Sequence, residues 1–430
     1  MTEAITSEAL TSAEVRALLA IDADATVSLL MELLAVPSVS GSDAECDIQH
    51  LLAGKLRTMD LDVDSWAMDL DSLGRAANFP GVETERTEAW GLVGTRWGQT
   101  AAPALILQGH VDVVPPGDFG RWQHAPFRPT ISEARIHGRG ACDMKAGVAA
   151  NVAALAAVQK AGVVLRDTFA LHFVIGEEDG GLGAFGTLRR GHTGQTCIIT
   201  EPTSGTLTTA NAGALTFSVA VPGLATHAST SYAGSSAIDS YVAIHRGLHE
   251  LQVRRNEVVD PLMSEYPVAY PISVGRVRGG DWSSSVPDLL IAEGRMGVRI
   301  DEDVASARTE LEEHVAELSR FDPFLRDHPA TVTWSGGQYA GGRMTTGHQL
   351  GAMVADAHAD ATGTARPRER GAPYGSDLRL YQAGGITTLH YGPGDVRLAH
   401  GPNESVDVQE LLDVTQTLVL CILRSCRTIS

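Results

Sequence analysis

The sequence predicts an α/β fold, a mostly parallel central sheet flanked by helices, interrupted by an inserted α+β unit. Three observations predict it. Short apolar or β-branched runs alternate with helical stretches over the first two hundred residues or so. After Pro202 the texture changes to a period-2 strand and amphipathic helices, and from Ala330 the strand and helix alternation resumes.

The elements follow in order. Residues 13–36 carry apolar side chains at helical spacing and end at Pro37, and Asp43 to Met59 repeats the pattern, so the chain opens with helices. Ala104–Gln108, Thr168–Ile175 and Thr196–Thr200 read as buried strands, with an Ala-rich helix from Met144 to Lys160 between the first two. In the unit that follows, Leu215–Val221 alternates like a half-exposed strand, Leu289–Ile300 reads as a second, and Ser235–Val253 and Val304–Arg320 read as helices. The closing part holds a short strand after Ala330, a helix at His348–Ala361, a strand at Thr387–Tyr391 and a helix at Val408–Arg424. Breakers at Pro323–Pro329 suit a return linker, and those in Gly363–Gly375 suit a loop near a site.

At about 150 residues per domain, 430 residues suggest two or three domains and a sizeable core. Lys plus Arg is 33 and Asp plus Glu is 52, a formal charge of −19, which argues against nucleic acid or an anionic membrane as the main partner. A hydrophobic content of 43% with 20% charged residues excludes a wholly disordered chain. The five cysteines are scattered with no CxxC pair, which implies reduced thiols and a cytoplasmic setting. The stretch MTEAITSEALTSAEV lacks the basic start and apolar run of a signal peptide, and no segment has the eighteen or so apolar residues of a membrane span.

Acids and histidines recur at or just after the predicted strand ends, where open α/β sheets place their ligands. In LQGHVDVVPPGD, His110 and Asp112 lie two apart and share one side of an extended chain, so an imidazole can ligate a metal while a carboxylate orients it. A satisfied strand-end histidine gives the same pattern. Asp143 in GRGACDMKAGVAA stands at a glycine-rich turn entering a helix, as a metal ligand or as an N-cap. Glu177 and Glu178 in VIGEEDGGLGA are adjacent carboxylates at a strand end, which repel each other unless a cation or a proton intervenes; a solvated acidic loop is the alternative. Glu201 in IITEPTS follows a further strand, and LAHGPNESV supplies His400. Together, two imidazoles and three or four carboxylates at successive strand ends suit two divalent ions sharing one carboxylate. Cys142 beside Asp143 reads as a packed thiol, since no His and Asn partner pattern accompanies it.

These segments, in this order over about residues 25 to 425, resemble the aminoacylase, acetylornithine deacetylase, succinyl-diaminopimelate desuccinylase and carboxypeptidase G family of dinuclear zinc hydrolases. The resemblance implies a catalytic domain in two parts, residues 1–209 and 328–430, with a ferredoxin-like dimerisation domain at 210–327. It implies that His110 and Glu178 ligate separate ions, Asp143 bridges them, and Glu201 and His400 complete the two spheres. Asp112 is then the orienting carboxylate and Glu177 the general base. In GLATHASTSYAGSSAI, His227 corresponds to the histidine that reaches across a homodimer to stabilise the tetrahedral oxyanion. The pattern departs at Ser285, where an asparagine commonly precedes Val-Pro, and the spacing beyond leaves Arg295 and Arg299 both open as clamps for a substrate carboxylate or as structural salt-bridge partners. Ser376, Asp377 and Arg379 in APYGSDLRLY resemble the family's substrate loop.

The implied cofactors are two divalent metal ions, Zn²⁺ first, with Co²⁺ or Mn²⁺ compatible with the same ligands. The implied reaction is deacylation of a small N-acyl amino acid, as in acetylornithine deacetylase. A dipeptidase or carboxypeptidase, or a deformylase or decarbamoylase of a non-amino-acid amide, is the alternative. A metal-free binding homologue is the non-enzymatic rival, opposed by the presence of all the ligand and base residues.

Overall fold

The computed structural model describes residues 10–429; residues 1–9, part of the stretch read above for a signal peptide, lie outside the described residues. A nine-stranded sheet runs in the order 62–67, 90–96, 169–174, 105–110, 196–199, 387–390, 207–211 and 342–343, with 369–372 pairing 207–211. Strands Phe169–Val174, Leu105–His110, Thr196–Ile199 and Thr387–His390 are mutually parallel. The strands at Asp62–Ala67 and Trp90–Arg96 join antiparallel at one side, and at the other 369–372 pairs parallel with 207–211, so the whole sheet is mixed. Every residue of the strands Leu105–His110 and Phe169–Val174 is buried, as expected of strands covered on both faces.

Helices cover the sheet. Lys145–Lys160 and Val408–Cys426 pack together, and the side chains of Ala149, Leu155, Leu418 and Ile422 join one core with Leu105 and Phe169. The apolar spacing over 13–36 belongs to two helices, Ser12–Leu19 and Ala23–Ala35. Asp22 breaks the run because its carboxylate accepts the amide of Ala25 as an N-cap.

The second unit has the order strand, helix, strand, strand, helix, strand: Gly213–Pro222, Ala237–Arg255, Ile272–Gly279, Leu289–Val298, Val304–Phe321 and Thr331–Tyr339. Its antiparallel sheet runs 272–279, 289–298, 213–222, 331–339, the ferredoxin-like arrangement. Phe217, Val219, Leu248 and Leu311 form its separate core. The strand expected after Ala330 to resume the α/β pattern instead pairs with 213–222, so this sheet runs on to Tyr339, past the expected boundary at residue 327. A small sheet of 405–407, 135–137 and 130–132 draws the segment after His400 against the one before Asp143.

Candidate metal centre

The parallel strands aim their C-terminal ends at one cavity of about 280 Å³, lined by Asp143, Glu177, Glu178, Glu201, His400, Arg295, Tyr339 and Tyr374 among others. His110 is the last residue of its strand, Glu177 and Glu201 lie just beyond theirs, and Asp143 precedes the helix Lys145–Lys160. This is the crevice in which open α/β sheets bind ligands.

His110 Nδ1 lies 3.0 Å from the carbonyl oxygen of Asp112, a donor's position, which turns Nε2 toward Asp143 Oδ1 at 3.1 Å and Glu201 Oε1 at 3.6 Å. His400 Nε2 lies 3.0 Å from Glu178 Oε2 and 3.4 Å from Asp143 Oδ2. Asp143 is therefore the carboxylate that reaches both imidazoles. His110, Asp143 and Glu178 offer ligand atoms close enough to share an ion, and so do His110, Glu177 and Glu201.

The carboxylate of Asp112 holds the backbone of both glutamates. Its Oδ1 accepts the amide of Glu177 at 3.2 Å, and its Oδ2 accepts the amide of Glu178 at 3.2 Å and the hydroxyl of Ser40 at 2.9 Å. It is the backbone carbonyl of Asp112, more than the carboxylate at 3.6 Å, that sets the His110 tautomer.

The electrostatics ask for a cation. Burial, with neighbouring carboxylates adding to it, pushes the carboxyls of Glu177 and Glu201 well above their ordinary range, and burial and Asp143 raise that of Glu178. The Glu178 carboxylate, despite burial, lifts His400 to about 11. Burial opposes charge on His110, yet Glu201, Asp112 and Asp143 together hold it charged well above the histidine range. Acids held this close must take up protons or share positive charge. An all-oxygen and imidazole donor set without sulfur fits divalent ions of the Zn²⁺, Co²⁺ or Mn²⁺ kind.

Residues 106–424 match the Peptidase family M20/M25/M40. The chain belongs to this family. It is a metal-dependent hydrolase of amide or peptide bonds. It is similar to an N-formyl-4-amino-5-aminomethyl-2-methylpyrimidine deformylase of Halalkalibacterium halodurans, 28% identical over 349 residues that cover 75% of this chain and 79% of the relative. It is also similar to a succinyl-diaminopimelate desuccinylase of Gluconacetobacter diazotrophicus, 33% identical over 156 residues, 34% of this chain and 40% of the relative. The fold is that of the dipeptidase Dug1p of Saccharomyces cerevisiae, with a TM-score of 0.78 at 13% identity, covering 98% of this chain and all of the other.

The remaining residues singled out in the sequence are distributed as follows. Arg295 lines the cavity. Arg299 does not: it pairs with Glu302 at 3.3 Å and donates to the carbonyl of Arg255, a structural bridge. Ser376, Asp377 and Arg379 are buried against internal partners and do not line the cavity. Ser376 bonds His390, Asp377 accepts from Gln108, and Arg379 donates to the carbonyls of Ser376 and Gly180. His227 and Ser285 face each other in an exposed β-bridge of the second unit, and neither lines this cavity.

Two tyrosines escaped the sequence reading. Tyr339 donates its hydroxyl to the carbonyl of Glu177 and carries the Arg379 guanidinium 4.0 Å over its ring. Tyr374 lines the cavity, and its place beside Gly375 in the YGSD run was the one local signal for it. Nothing local marks Tyr339, which arrives from the strand of the other sheet.

Proposed function

We propose that this chain hydrolyses the acyl–nitrogen bond of a small N-acylated amino acid, with two divalent ions, Zn²⁺ first, held among His110, Asp143, Glu178, Glu201 and His400. The observation that carries this reading is the position of Asp143 between His110 Nε2 and His400 Nε2, with Glu201 beside the first imidazole and Glu178 beside the second. Bound there, such ions lower the pKa of water toward neutrality and polarise a carbonyl.

Glu177 serves as the general base. It accepts a proton from the attacking water and returns it to the departing nitrogen, and its amide bond to Asp112 and carbonyl bond to Tyr339 fix its backbone from both sides. Arg295 contributes the guanidinium of the cavity wall and receives the substrate carboxylate. Asp112 orients His110 and both glutamates. His227 supports the oxyanion of a second copy's site, in a homodimer formed through the ferredoxin-like unit. That reading is supported by its exposure, by its absence from this chain's own cavity, and by the neighbouring Tyr232 and Trp282, 87% and 72% exposed. The free, buried cysteines support a reducing, cytoplasmic setting.

Deformylation of an amide that is not an amino acid is the second reading, favoured by the deformylase relative that aligns over three quarters of the chain. One screen separates them: N-acetyl, N-formyl, N-succinyl and N-carbamoyl amino acids, dipeptides and formylated aminopyrimidines, each with Zn²⁺ or Co²⁺. Cleavage of N-acyl amino acids, abolished by chelator and by Glu177→Ala with metal still bound, is expected. Cleavage confined to the formylated pyrimidine establishes the second reading, and no cleavage at all refutes both.

A further inference from the structure

Arg139 and Glu404 form an ion pair at 2.6 Å in which each residue is only 1% exposed. A buried pair of this kind generally adds little stability over apolar residues of the same volume. Its further hydrogen bonds run to the backbone of the candidate metal centre. Glu404 Oε1 accepts two successive amides, Cys142 at 2.8 Å and Asp143 at 3.0 Å. Arg139 Nη2 donates to the carbonyl of His400 at 3.2 Å. His400 has φ +62°, a left-handed conformation unfavourable for a residue with a Cβ, so its backbone must be held by its surroundings. The guanidinium lies 5.1 Å from the Trp122 ring centroid, within cation–π range.

We propose that the Arg139–Glu404 pair is the positioning device of the metal centre: Glu404 sets the backbone of Asp143, the carboxylate between the two imidazoles, and Arg139 sets the strained backbone of His400. The proposal rests on the metal-centre reading above. Neither residue lines the cavity. The strand pairing of Ser405 with His137 brings the two segments together, so Arg139 and Glu404 link ligand segments some 260 residues apart in sequence.

The two halves of the device have different signatures. Protein stripped of metal is titrated with Co²⁺ by calorimetry and by visible absorbance, with folding checked by circular dichroism. Arg139→Lys keeps a charge for Glu404 but lacks the fork that reaches His400. It is expected to weaken the ion at His400 by about 10–100-fold and leave the other at wild-type affinity. In a His400→Ala background the same change adds no further loss at the remaining ion. Glu404→Gln, an isosteric second variant, is expected to weaken both ions, because Asp143 lies between them. Arg139→Lys with both ions unchanged, or both weakened alike, overturns the proposal, as does Glu404→Gln with wild-type binding. A wild-type chain that binds no pair of Co²⁺ ions overturns the metal-centre reading and this proposal together. Two tight ions in the wild type with unaltered variants overturn the positioning role alone.

Discussion

Replacing Asp112 by asparagine changes one oxygen to an NH₂ group and leaves the volume intact, yet the geometry allows no satisfactory placement of the amide. Three donors converge on the carboxylate: the amides of Glu177 and Glu178 and the hydroxyl of Ser40. With its oxygen toward Glu177, the asparagine presents NH₂ to the amide of Glu178; flipped, it presents NH₂ to the amide of Glu177. Ser40 can rotate its hydroxyl to accept, but one backbone amide is orphaned either way. Asp112 is fully buried, so water cannot replace the lost acceptor. A bond to a charged acceptor contributes about 1.5–3 kcal/mol, and an orphaned buried donor costs about 1–3 kcal/mol, giving a destabilisation of about 2–4 kcal/mol. Because the orphan lies in the Glu177–Glu178 backbone, metal affinity falls by about 10–100-fold as well. Urea unfolding with and without Co²⁺ measures the first and metal titration the second. Ser40→Ala, which removes one donor and orphans nothing, is the control and loses about 1 kcal/mol. An Asp112→Asn protein within about 0.5 kcal/mol of wild type, binding metal normally, refutes the reasoning.

Arg295→Ala is expected to raise KM for a carboxylate-bearing substrate about tenfold or more with little change in kcat, whereas Arg299→Ala moves only thermal stability; steady-state kinetics on both variants decide this. A Cβ at Gly147 would stand 2.2 Å from the carbonyl oxygen of Thr200, the residue before Glu201. Gly147→Ala therefore costs about 1–3 kcal/mol in urea unfolding and weakens metal binding, and an unaffected variant contradicts that close approach. Burial holds the imidazoles of His172 and His390 down to about 3. The unfolded chain takes up these protons near pH 6.5 and the folded chain does not, so their contribution is intact above that pH and is lost as pH falls toward 3. At pH 5 each costs about 2 kcal/mol, and His390→Gln should remove about that much of the loss in stability between pH 7.5 and 5. An unchanged pH dependence would show that His390 does not stay neutral.

Much of the site was legible because its determinants are local. An apolar run that ends in a histidine or glutamate declares both a buried strand and a group at its edge, and His110, Glu177 and Glu201 all have that form. The choice between Arg295 and Arg299 was not legible. Residues four apart share one face of a strand, so alternation cannot separate them, and only the end of the strand at Val298 does. Ser376, Asp377 and Arg379 sit in a turn-rich segment that composition alone assigns to solvent or substrate, while their partners Gln108, His390 and Gly180 come from distant parts of the chain.

The sequence by itself determined the fold class, the family resemblance and the acids and histidines that gather at the candidate site, because strand periodicity, strand-end chemistry and motif order are properties of short segments. Tertiary structure alone decided that residues 331–339 join the second sheet, that Tyr339 crosses to hold the Glu177 backbone, and that Arg139 and Glu404 grip Asp143 and His400. Each of these depends on hydrogen bonds closed between segments far apart in the chain. A short window of sequence contains one partner of such a bond and says nothing of where the other will stand.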